Sequence, residues 1–165
     1  PMGDNDDQLV PLAALARDRD LDVRFIELMP IGLGSSLPRR TQTEVLEKLE
    51  GAFGPALPCA QGGGSGPGRY VTFDGFTGRV GFISAVSHQF CESCNRVRLT
   101  ATGFLKTCLQ YETGVNLKAL LESGADGAAL RAAMEGAIFA KPACHHFSAA
   151  GTAEDERRSM YQIGG

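Results

Sequence analysis

The chain has 165 residues, 43% of them hydrophobic and 21% charged, and carries a net charge of −3. That is ordinary for a folded soluble domain with one real core, and too short for two large ones. The acidic balance argues against a nucleic-acid partner, and no apolar run reaches the roughly 18–20 residues of a membrane span.

In chain order, Leu9, Leu12, Leu15 and Ala16 stand at helical spacing behind Asn5-Asp6-Asp7, whose acidic residues favour a helix start. "VRFIELMP" (23–30) reads as a strand ended by Pro30 and Gly32. Thr41-x-x-Glu44 is a capping-box pattern opening a helix to Phe53, closed by Gly51 or Gly54. Residues 58–68, "PCAQGGGSGPG", form a loop. "RYVTFDGFTGRVGFISA" alternates around Asp74-Gly75 and Thr77-Gly78 and predicts a β-hairpin. A second hairpin turn is expected at Thr102-Gly103, then helices near 116–123 and 127–140. The last stretch, "SAAGTAEDERRSMYQIGG", has little apolar periodicity and reads as a tail. The first quarter is thus a helix–strand–helix unit of α/β type, and the remainder irregular α+β.

Three of five cysteines fall within "FCESCNRVRLTATGFLKTCL", at Cys91, Cys94 and Cys108. No basic-then-apolar leader opens the chain, so a reducing cytoplasm is expected, where an odd cysteine count suits metal binding better than disulfides. C-x-x-C places two thiols in reach of one metal, and the third can return across a hairpin. Three readings remain open. Structural zinc wants a fourth ligand, here Cys59, Cys144 or a histidine. An iron–sulfur cluster on three cysteines leaves one iron open, and unliganded buried cysteines are also common. Arg96 and Arg98 stand at alternate positions, so in extended backbone their guanidinium forks share a side, suited to a phosphorylated substrate. Cys144 beside His145 and His146 is a weaker metal candidate, and Cys59 in its Gly-rich loop belongs to no motif.

"VRFIELMPIG", the cysteine segment, "NLKALL", "AIFAKPACHHF" and "MYQIGG" occur in order, and together they resemble the C-terminal half of the radical-SAM GTP 3′,8-cyclase family of molybdenum-cofactor biosynthesis. The resemblance runs over essentially the whole chain. It implies an α/β fold: residues 1–55 as the C-terminal end of an incomplete (βα) TIM-type barrel, 56–147 as an irregular α+β iron–sulfur and GTP-binding region, and 148–165 as a tail ending in Gly-Gly. It implies a [4Fe–4S] cluster held by Cys91, Cys94 and Cys108, with GTP at the open iron. Arg96, Val97 and Arg98 then match substrate contacts, and Met29 matches a position touching S-adenosylmethionine. On residues alone, Met29 reads as a core methionine, and parity leaves open whether Arg24 or Glu27 faces the barrel interior.

The family's N-terminal cysteine triplet, which binds a second cluster and cleaves S-adenosylmethionine, is missing from this sequence. The chain alone is therefore expected to be inactive, with the rest of the barrel as its partner, an exposed apolar edge at Val23–Leu28, and possible homo-oligomers covering it. Cyclic pyranopterin monophosphate synthase is the downstream pathway partner that the resemblance implies. The terminal Gly164-Gly165 would thread into the active site. The competing class of function is a non-catalytic, zinc-stabilised binding module.

Overall fold

The structure, a computed structural model, describes residues 5–60, 66–147 and 155–163. The chain forms two compact units, one of residues up to Met29 together with Ser36–Phe90, the other of Pro30–Ser35 together with Cys91 onward. Sheets and helices are mixed in a single α/β chain. Among the described residues no helix is long and apolar enough to cross a membrane.

The first unit begins with a 3₁₀ turn, Asp6–Gln8, running into α1, Leu9–Ala14. Leu9 and Ala13 are the buried residues of that helix and Ala16 is buried just beyond it, whereas Leu12 and Leu15 are 41% and 44% exposed. The expected stripe is thus rotated: Leu9 and Ala13 pack with Val45 and Leu49 of α2, and Leu12 and Leu15 are left outside it. Helix α2, Gln42–Phe53, has the capping box read from the sequence, with the Glu44 N–H donating to Thr41 Oγ1 at 3.3 Å and the Thr41 N–H to Glu44 Oε2 at 2.7 Å. Its stop is Gly54, at φ 86°, rather than Gly51.

Strand β1, Asp22–Ile26, is shorter than the expected 23–30 segment. It pairs in parallel with β4, Arg79–Ile83, in register from Asp22 with Arg79 to Ile26 with Ile83. Strand β4 also forms the expected antiparallel hairpin with β3, Arg69–Thr72, and β2, Leu57–Pro58, completes the order β1-β4-β3-β2. Strand β1 is therefore terminal in this sheet, and Ile26 upon it is 60% exposed. Leu9, Ala13, Val45, Leu49, Phe73, Val80 and Phe82 form the core between sheet and helices. Phe53, Phe73 and Phe76 cluster with centroids 5.1–5.4 Å apart, Phe53 and Phe76 edge to face and the other two pairs tilted, an arrangement that favours aromatic quadrupoles.

Glu27 is buried, and its carboxylate accepts the N–H groups of Val86 at 2.8 Å and Ser87 at 2.9 Å. Arg24 is exposed and lies over the Tyr70 ring.

The second unit carries an antiparallel sheet β5-β6-β7, Arg98–Leu99, Phe104–Lys106 and Gly114–Asn116. The β5–β6 turn is the expected one, with Gly103 at φ 78°. Helices α3, Leu117–Glu122, and α4, Gly127–Phe139, are each opened by a side-chain cap, Asn116 and Asp126 accepting the N–H groups of Ala119 and Ala129. The stretch read as a tail is tied down where it is described: Asp155 bridges Tyr111, Glu156 is buried, and Ile163 is fully buried. Gly164 and Gly165 lie outside the described residues.

Close backbone approach at Gly78 decides one junction of the first unit. A Cβ there would stand 2.3 Å from the Leu21 carbonyl oxygen and 2.5 Å from that of Arg19, while the Gly78 N–H bonds the Ala16 carbonyl at 2.8 Å. Gly78→Ala should cost about 1–3 kcal/mol in unfolding free energy, measured by chemical denaturation. Gly51→Ala, where a Cβ meets open space, should be neutral or slightly stabilising.

Candidate metal centre

The C-x-x-C pair is shaped by a single 3₁₀ turn over Cys91–Ser93, closed by the Cys94 N–H donating to the Cys91 carbonyl at 3.1 Å. Strand β5 begins four residues after Cys94, and its register sets Arg98 across from Lys106. Two residues beyond that pair the returning chain reaches Cys108. The hairpin thus brings the third cysteine back, as the spacing suggested.

Cys91, Cys94 and Cys108 are half-buried free thiols, and Cys144 is an exposed one. Burial pushes the Cys91 thiol up, the His145 N–H that bonds its sulfur pulls it down, and the nearby Cys108, Cys144 and Cys94 push it up again. The net direction is upward. Cys94 differs. Burial raises it, but the Arg96 N–H and the Lys141 ammonium both donate to its sulfur and bring it below its ordinary value. Cys108, Cys144 and Cys94 thus lie near enough to Cys91 to act on its thiol, and Cys91 and Cys94 each sit under an N–H donor. Among the described residues, however, no three His, Cys, Asp or Glu side chains meet closely enough to hold a metal ion as they stand.

The donors fit an anionic sulfur centre. At Cys94 the N–H groups of Arg96 and Lys141 favour thiolate, the form that binds iron or zinc, whereas at Cys91 burial outweighs the N–H of His145.

Arg96 is exposed and Arg98 half-buried, with Val97 exposed between them. Burial lowers Arg98, and the charge of Arg96 lowers it further, so the two guanidinium groups lie close enough to repel. Paired cations of this kind, held on a turn and a short strand, suit a polyanionic ligand. Met29 is half-buried three residues beyond β1, in the first unit. Cys59 also belongs to that unit, where burial raises its thiol.

Two features carry no spacing signal and were invisible in the sequence. Lys141, after α4, donates to the Cys94 carbonyl at 2.8 Å, the Cys94 sulfur at 3.2 Å and the Arg96 carbonyl at 3.1 Å. Beneath the cysteine hairpin lies a buried ion cluster. Lys106 Nζ and Glu156 Oε2 are 2.6 Å apart with both side chains at 0% exposure, and Lys106 also donates to the Tyr111 carbonyl. Arg158 closes on Glu156 with Nε at 2.9 Å and Nη2 at 2.8 Å.

Thiols under N–H donors thus stand beside two arginines in the second unit. The profile of the family described as Molybdenum Cofactor Synthesis C matches residues 21–147. The chain is 40% identical to the GTP 3′,8-cyclase of Clostridium perfringens strain 13 over 98% of this chain and 50% of that protein. It is 42% identical to the GTP 3′,8-cyclase of Pelotomaculum thermopropionicum, over 99% of this chain and 50% of the relative. With the GTP 3′,8-cyclase of Paracoccus denitrificans the identity is 43% over 88% of this chain and 43% of the relative. The chain belongs to the Molybdenum Cofactor Synthesis C family, and spans about half the length of the curated relatives it matches.

Burial alone would raise the Glu156 carboxyl, but the hydrogen bonds from Arg158 and Lys106 outweigh it and bring it from 4.5 to about 2. A folded value below the ordinary one means full stabilisation above about pH 4.5, lost as pH falls towards 2. Thermal unfolding across that window should show the loss in wild type and a flatter profile in Glu156→Gln. At neutral pH Glu156→Gln should cost about 3–5 kcal/mol, because Lys106 stays buried without its counter-ion.

Proposed function

We propose that the chain is the substrate-binding, C-terminal half of a GTP 3′,8-cyclase, acting in molybdenum-cofactor biosynthesis. In this reading Cys91, Cys94 and Cys108 hold a [4Fe–4S] cluster, and Arg96, Val97 and Arg98 contact GTP, the two arginines at its triphosphate. The observation that carries it is the placing of N–H donors on the Cys91 and Cys94 sulfurs within the same loop that bears the paired arginines. When bound, the cluster supplies an iron with an open position for the purine. The chain's own residues do the remaining work. Arg96 and Arg98 neutralise phosphate charge and fix its orientation through bidentate forks. Three thiolates leave one coordination position to the substrate.

Residues 1–55 would be the end of a (βα) barrel whose other strands lie in the preceding half of the enzyme. Met29, just past β1, would face S-adenosylmethionine there. The radical-generating cluster also belongs to that half, so the isolated chain would be inactive, and the enzyme cytoplasmic.

Cys144 favours a second reading. Its thiol is a close enough neighbour to raise Cys91, so a four-thiol zinc site is chemically available. Anaerobic reconstitution with iron and sulfide separates the two. About four iron and four sulfide per chain, lost in Cys91→Ser, Cys94→Ser and Cys108→Ser but kept in Cys144→Ser, is the expected result. One zinc per chain that Cys144→Ser abolishes would establish the alternative.

Arg96→Lys and Arg98→Lys keep the charge but lose the fork. Each should weaken GTP binding to cluster-loaded protein by about ten- to a hundred-fold in calorimetry, and leave guanosine almost unaffected.

A further inference from the structure

An ammonium group has three donors, and Lys141 places all three on residues 94–96. None is left for a phosphate. The side chain is delivered by the end of α4: the Lys141 N–H donates to the Ile138 carbonyl at 3.1 Å, and Pro142 restricts the backbone of Lys141 itself. A lysine that merely buttressed a loop would need only the two carbonyls. This one also reaches the sulfur of the residue read as a cluster ligand.

We propose that Lys141 is a positioning residue of the cysteine loop, which locks the 94–96 backbone under Arg96 and holds a positive N–H donor on the Cys94 sulfur. The redox part of this rests on the iron–sulfur reading; the backbone part does not. A charged donor on a ligand sulfur stabilises the reduced, more negative cluster, and so raises its reduction potential. It also fixes the entry of β5, hence the separation of the two guanidinium groups.

The test uses the whole chain as wild type, Lys141→Met and Lys141→Arg. Hydrogen exchange of residues 92–98 is measured without iron, and the midpoint potential is measured by EPR-monitored titration after anaerobic loading. Lys141→Met should exchange about ten-fold faster over 92–98, and its midpoint should shift to more negative values at unchanged iron content. Lys141→Arg, which keeps a charged donor, should stand closer to wild type in potential, a rescue that packing alone would not give. An unchanged potential in loaded Lys141→Met overturns the redox role, and unchanged exchange overturns the brace. If wild type takes up no iron, the cluster reading fails by itself, and the exchange measurement still judges Lys141.

Discussion

A lysine ammonium with no exposure must be neutralised where it lies, and at Lys106 that requirement organises the second unit. Its counter-ion, Glu156, comes from far along the chain, so neutralising Lys106 draws the 155–163 segment onto the β5–β6 hairpin. The same cluster fixes the turn after β6. Lys106 holds the Tyr111 carbonyl, the Tyr111 hydroxyl donates to the Cys144 carbonyl at 3.3 Å, and the Gln110 side chain accepts the His146 N–H. Removing one charge from so dry a pair leaves the other stranded, which is why such pairs tolerate so little change.

The cysteine loop depends on that frame. Cys108 sits two residues past Lys106, and the segment from Lys141 to His145 supplies N–H donors to the sulfurs of Cys94 and Cys91. The thiols gain their common neighbourhood from a turn, a hairpin and a segment pinned through Gln110 and Tyr111. Electrostatics follows from placement. Cys94 lies under a cation and an amide that outweigh its burial and is lowered, while Cys91 is raised first by burial and then by the thiols near it.

The first unit rests on a different constraint, the parallel pairing of β1 with β4. Parallel neighbours need a crossover, and here the crossover contains α2 and the β2–β3 ribbon. Arg79 at the start of β4 grips Asp22 at the start of β1, with Nε at 2.8 Å and Nη2 at 3.1 Å, fixing the register from its first residue pair.

Local signals made much of this legible. The Thr41–Glu44 box, the two Gly-containing hairpin turns, both late helices and the C-x-x-C turn depend on neighbours a few residues apart, so sequence alone determined them. It also supplied the family, because its motifs recur in order. Tertiary structure decided what depends on distant partners. Leu12 and Leu15 looked like core, but Leu9 and Ala13 are what pack with Val45 and Leu49 of α2, and only packing shows that. Residues 155–163 read as a tail because their anchoring is ionic and long-range, and hydrophobic periodicity cannot register a buried salt bridge. Lys141 was silent for the same reason: its acceptors are a sulfur and two carbonyls brought to it by folding.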